Sequence, residues 1–172
     1  MEILNAILYQ FQTISLPWWI VIGFAAVLLL IFRHKREQLP GDVLIVYILV
    51  ILASTVLSRP PIDLSERSEL INLDLIGTWR ERLSGDIYGK SELLLNFCML
   101  LPVGLLFPWA AKKGFFPTVL IGLGLILIIE LAQFFTGLGW FELSDIVDNT
   151  IGVMIGYVLY RIGEVIWRKI KC

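Results

Sequence analysis

Apolar residues along the chain gather into long runs separated by short polar punctuation, and the runs set the architecture. Residues 17 to 32, PWWIVIGFAAVLLLIF, form an apolar stretch with Trp18 and Trp19 at one end and Arg33, His34, Lys35 and Arg36 at the other. An aromatic anchor followed by a cationic stop is the signature of a membrane span. A second run extends from about Asp42 to Leu57, opened by Pro40 and Gly41 and closed by Ser58-Arg59-Pro60-Pro61. The third covers about Glu92 to Ala110, with Asn96 near its start and Pro102, Gly104 and Pro108 further on. Prolines within a span kink or loosen the helix, which is tolerated where neighbours or a cavity satisfy the freed carbonyls. The fourth runs from about Phe115 to Phe135 and the fifth from about Ile146 to Val165, followed by Trp167, Arg168, Lys169 and Lys171.

Two weaker patterns lie outside these runs. Ile3, Leu4, Ile7, Leu8 and Phe11 share one side of residues 2 to 12, as in a short helix lying in the membrane interface. In the polar stretch 58 to 91, Ile71, Leu75, Trp79 and Leu83 recur every four residues. That spacing predicts an amphipathic helix resting on the bilayer or capping the bundle. The predicted fold is all-α, a polytopic transmembrane bundle of about five spans with an extracytoplasmic loop helix. Residues 1–172 are expected to form one transmembrane domain.

Composition agrees with this pattern: hydrophobic residues make up 58% of the 172-residue chain and charged residues 17%. That is not the makeup of a soluble domain. Nucleic acid is not indicated, and membrane lipids are the implied surroundings. The first span lacks the flanks of a cleaved signal peptide. Cys98 and Cys172 match neither a disulfide framework nor a metal-ligand spacing. Lys and Arg are more informative, since Arg33, Lys35, Arg36, Lys112, Lys113, Arg168, Lys169 and Lys171 all fall on one side of a five-span arrangement. The positive-inside rule then puts the N-terminus outside and the C-terminus in the cytoplasm.

Against this apolar background the candidate chemistry is conspicuous. Glu130 follows the run VLIGLGLILII with Gln133 three residues on, and Asp145, Asp148, Asn149, Gly152 and Gly156 recur at helical spacing on the next span. Ionisable groups at membrane depth usually face a bundle interior or cavity and mark function. Asn96, Glu130 and Asp148 lie at similar depth in the outer half of the membrane, so the polar cluster should open to the extracytoplasmic side. A structural reading stays open beside it: Glu130 as a neutral interhelical hydrogen-bonding group, Asp145 as a helix-start acid, and Gly152 and Gly156 as a close-packing face.

In order and on successive spans, Asn96-x5-Pro102-x-Gly104, Glu130-x2-Gln133 and Asp145-x3-Asn149-x2-Gly152-x3-Gly156 resemble the VanZ-like family of bacterial membrane proteins. Thr55, Arg59 and Asn72 extend the resemblance upstream. The chain departs from the family pattern at Gly139-Trp140, where Arg commonly follows Gly, at Glu142, where Asp is usual, and at Asp148, where an apolar residue is more frequent. The resemblance implies a role in low-level resistance to glycopeptide antibiotics such as teicoplanin. The site expected from it and from the polar cluster consists of Asn96, Glu130, Gln133, Asp145, Asp148, Asn149 and Arg59, binding an amphiphilic or lipid-linked ligand such as a lipoglycopeptide or a cell-wall lipid intermediate, with no cofactor or metal. The competing class is an enzyme in which Glu130, Asp145 and Asp148 hold a hard divalent cation for work on a lipid phosphate. No phosphate-cradling Gly loop or cationic cluster accompanies it, and the only histidine, His34, lies on the wrong side of the membrane to serve a nucleophile.

Overall fold

A computed structural model of the protein describes Gly23, residues 39–57, 70–85 and 87–171. The interfacial helix expected over residues 2 to 12 and Arg59 lie outside the described residues, and so does the first span apart from Gly23. Among the described residues, four helices are long and apolar enough to cross a membrane, Leu39–Val56, Gly89–Ala111, Phe115–Thr136 and Leu143–Lys171. The architecture is an all-α bundle in which the only strands among the described residues are two of two residues each.

Helix α1 (Leu39–Leu52) continues as a π-helical turn over Ala53–Leu57. The hydroxyls of Ser54 and Thr55 both donate to the Ile51 carbonyl, at 3.0 and 2.8 Å, at the point where the backbone ladder loosens. Strand β1 (Ile71–Asn72) leads into α2 (Leu75–Ser84), whose first turn is closed by the Asp74 carboxylate accepting from Gly77 N–H at 2.9 Å. The four-residue periodicity of the sequence therefore overextends this helix. Ile71 sits in the strand, and Leu83 is 59% exposed.

The third span is two helices, α3 (Ile87–Met99) and α4 (Leu101–Ala111). Pro102 has no N–H to return to Cys98, and its ring crowds that carbonyl, so the ladder breaks beside Leu100. The amides of Val103 and Gly104 turn to the Leu100 carbonyl, and the Met99 carbonyl accepts from Tyr47 Oη on α1 at 2.8 Å. A neighbouring helix thus satisfies the Met99 carbonyl left at the break. Helix α5 (Phe115–Thr136) ends on Gly137 in the left-handed region, φ 68°. Leu138 N–H then reaches back to the Gln133 carbonyl. Strand β2 (Phe141–Glu142) pairs in parallel with β1 in the register Ile71 to Phe141 and Asn72 to Glu142, and α6 (Leu143–Lys171) follows directly.

The core is apolar and continuous, with Leu44, Ile51, Leu100, Val103, Ile126, Ile129 and Val153 buried together. Small residues on α6 let its backbone approach α3 and α4. A Cβ on Gly152 would strike the Phe97 carbonyl, one on Gly156 the Leu101 carbonyl, and one on Gly104 the Val153 carbonyl. This is close small-residue packing between membrane helices, with α6 running parallel to α3 and α4. Gly41, near the start of α1, lies beside Ala110 at the end of α4. The turn at Lys112 and Lys113 and the basic end of α6 therefore share one end of the bundle, and the polar residues of β1, α2 and β2 occupy the other.

Candidate functional site

The sequence leaves Arg82 as one charge among several in a polar loop, yet the structure puts it at the centre of the polar end. Three elements bring its partners together: α3 carries Glu92, β2 carries Glu142, and the first turns of α6 carry Ser144, Asp145 and Asp148. Arg82 Nη2 lies 2.8 Å from Glu142 Oε2, 3.1 Å from Asp145 Oδ1 and 3.2 Å from Glu92 Oε1, and Nη1 lies 3.4 Å from both Asp148 Oδ2 and Ser144 Oγ. The guanidinium is 6% exposed and Asp148 is fully buried, whereas Glu92 is 55% exposed. Among the described residues a single cation thus faces four carboxylates.

Further hydrogen bonds fix three of the four carboxylates. Trp79 Nε1 donates to Asp148 Oδ1 at 2.9 Å, Asn96 Nδ2 to Asp145 Oδ1 at 2.6 Å, and Ser144 Oγ to Glu142 Oε2 at 3.2 Å. Trp79 and Arg82 lie three residues apart, so one face of α2 delivers both to the bundle. Burial withdraws water from the Arg82 guanidinium and favours its neutral form, but Asp145, Glu92 and Glu142 together outweigh that, and its pKa is raised. Glu142 is also raised, first by burial and then by the charge on Asp145, with Arg82 opposing.

Of the residues expected at the site, Asn96, Asp145 and Asp148 join the Arg82 cluster directly. Asn149 lies one turn further along α6, fully buried, donating from Nδ2 to the Asp145 carbonyl at 2.9 Å while its Oδ1 has no hydrogen-bond partner among the described residues. Glu130 and Gln133 form a second layer. The Glu130 carboxylate accepts the Glu142 backbone N–H at 2.9 Å, which holds β2 where the Glu142 side chain meets Arg82. Gln133 Nε2 donates to the Thr55 carbonyl at 2.7 Å and ties α5 to the π turn of α1. Glu130 and Gln133 share a helix face as their spacing requires, yet these bonds lead to different elements.

Sequence reasoning missed Arg82, Glu92, Trp79 and Ser144 as members of one cluster. Trp79 and Arg82 at i and i+3 on a short amphipathic helix were the available signal. Arg82 is the cation that meets Asp145 and Glu142. Among the described residues no group of three His, Cys, Asp or Glu side chains is arranged to hold a metal ion. Asp145 and Asp148 turn to the guanidinium, and Glu130 is directed at a backbone amide.

Beside the cluster is a cleft of about 740 Å³ lined by Asn72, Thr78, Glu81, Arg82, Glu92, Trp140 and Glu142. Gly85 and Gly89 contribute to its wall, and Trp140 is half exposed. The Asn72 amide, at 3.1 Å from Thr78 Oγ1, anchors that side. The cleft is polar, with the carboxylates of Glu81, Glu92 and Glu142 around the buried Arg82 guanidinium and the Trp140 indole on its wall.

A family model described as VanZ/LLP1 matches residues 43–166. The chain belongs to the VanZ/LLP1 family. A stretch of 74 residues is 34% identical to Protein VanZ of Enterococcus faecium, covering 42% of this chain and 46% of that protein. The chain thus matches just under half the length of that VanZ relative. No solved structure matches it. With four apolar spans among the described residues, this VanZ-like chain is an integral membrane protein of a family associated with glycopeptide resistance.

Proposed function

We propose that the cleft beside Arg82 opens to the outer leaflet and binds the polar head of an amphiphilic or lipid-linked ligand. Through that binding the protein contributes to low-level resistance to glycopeptides of the teicoplanin type. The observation that carries the reading is the cleft itself, polar, of head-group size and set at the end of a bundle whose flanks are apolar. The orientation follows the positive-inside rule, with Lys112, Lys113, Arg168, Lys169 and Lys171 in the cytoplasm and α2 outside. Acyl-bearing glycopeptides and lipid-linked cell-wall precursors both present a polar group at that level. Metal-assisted chemistry would require Asp145 and Asp148 to exchange the Arg82 guanidinium for a cation, and no observation favours that reading.

The test is expression in a susceptible host with inhibition by teicoplanin and vancomycin compared. Trp140→Ala and Thr78→Val alter the cleft wall outside the ion cluster, so both proteins should accumulate normally and lose protection. Normal protection from both accumulated variants would remove the cleft from the function.

A further inference from the structure

The outer face of α2 is not used by the cluster. At 100° per residue, Ile76, Arg80 and Leu83 fall within one narrow arc, while Leu75, Trp79 and Arg82 form the adjoining inward arc. Ile76 is 69% exposed, Leu73 just before the helix is also exposed, and Arg80 stands exposed between Ile76 and Leu83. A soluble helix presenting such a face would leave its apolar groups in water without compensation.

The depth of α2 determines what meets that face. Glu130 lies six residues, about 9 Å, inside the end of α5 at Thr136. Its carboxylate holds the amide of Glu142, β2 pairs with β1, and β1 leads into α2 within three residues. Independently, Trp79 reaches Asp148, five residues into α6. Two separate connections therefore draw α2 down beside the terminal turns of the spanning helices. At that level the surroundings of an outward face are lipid head groups and the first methylenes of their chains.

We infer that α2 is seated in the membrane by its outer face, with Leu73, Ile76 and Leu83 at the acyl boundary and Arg80 on a lipid phosphate. The pairing matches charge to charge and apolar surface to apolar surface, as in helices that lie in the interface plane. One helix thus closes the polar cluster with one face and holds the cleft mouth at leaflet level with another. This inference does not depend on what the cleft binds.

The full chain with Cys98→Ser and Cys172→Ser, reconstituted in nanodiscs of phosphatidylcholine with one-third phosphatidylglycerol, serves as the parent. Single cysteines replacing Ile76, Leu83 or Glu81, which lines the cleft, are labelled with an environment-sensitive fluorophore. Brominated phosphatidylcholine should quench the probes at 76 and 83 at least three-fold more than the probe at 81, with blue-shifted emission at both. Arg80→Gln should reduce the enrichment of phosphatidylglycerol around the protein, measured by a fluorescent anionic lipid. Water-like, unquenched emission at 76 and 83 would overturn the inference, and so would blue-shifted emission that brominated lipid leaves unquenched, since another protein surface would then cover the face.

Discussion

Replacing Arg82 with glutamine removes the guanidinium from the cluster and leaves its carboxylates in place. Asp148 is fully buried, and Glu142 and Asp145 retain only 16% and 19% of their side-chain exposure. Breaking a buried ion pair by deleting one partner costs about 3–5 kcal/mol, because the remaining charge is stranded. Here two of the stranded groups still touch water, so the lower end, about 3 kcal/mol, is expected for Arg82→Gln. Glu92 is half exposed and shares Arg82 with three other carboxylates, so Glu92→Gln should cost less than about 1 kcal/mol. Asp148→Asn keeps an acceptor for Trp79 Nε1 and removes the stranded charge. Added to Arg82→Gln, it should recover at least about 1 kcal/mol, the signature of coupled neighbours in a double-mutant cycle. Reversible unfolding in mild detergent micelles titrated with SDS, followed by tryptophan fluorescence, measures the wild type, the three single variants and the double variant. An Arg82→Gln cost within about 1 kcal/mol of zero, or a cycle with no coupling, would refute the account of the cluster as a charge-balanced core.

Gly152→Ala and Gly156→Ala each drive a methyl into a backbone carbonyl of the facing helix and should destabilise by about 1–3 kcal/mol, whereas Gly163→Ala, with open space at its Cβ, should be neutral or stabilising; heat-induced aggregation in detergent separates them. Because folded Glu142 holds its proton more tightly than an unfolded carboxyl, its contribution is fully present below about pH 4.5 and declines as pH rises through the folded value. Glu142→Gln should flatten that slope in pH-dependent unfolding, and an unchanged slope would assign it to other groups. A cysteine at Glu81 should react with an impermeant thiol reagent in intact cells and one at Lys113 should not, and the reverse pattern would invert the proposed orientation.

The spans were legible because lipid demands long apolar runs, and Phe115–Thr136 begins where the sequence places it and ends one residue later. Pro102 signalled the break in the third span, although its placement at Leu100 depends on which carbonyls the neighbouring amides reach. The alignment of Asp145, Asp148 and Asn149 on one helical stripe was also visible, since their spacing alone fixes it. Their counterion was not. Arg82 meets Asp145 and Asp148 across 63 and 66 positions through a two-residue strand pair, and a strand that short has no periodicity to read. The repeat of Ile71, Leu75, Trp79 and Leu83 misled for a related reason. Asp74 caps the helix start, so Ile71 falls outside it, and the inward face turns on Trp79 and Arg82 instead of on the apolar set.

The sequence distance across the Arg82 cluster has a consequence for how the chain is made. Arg82 is synthesised some sixty residues before Glu142, Asp145 and Asp148, so it must wait in the aqueous boundary while α3, α4 and α5 enter the membrane. The acids then arrive at the leading end of the last span, where water can hydrate them until the guanidinium is reached. Insertion of α6 therefore delivers both the acids and the face of Gly152, Val153 and Gly156 that packs on α3 and α4, and a nascent chain halted before Glu142 would lack both.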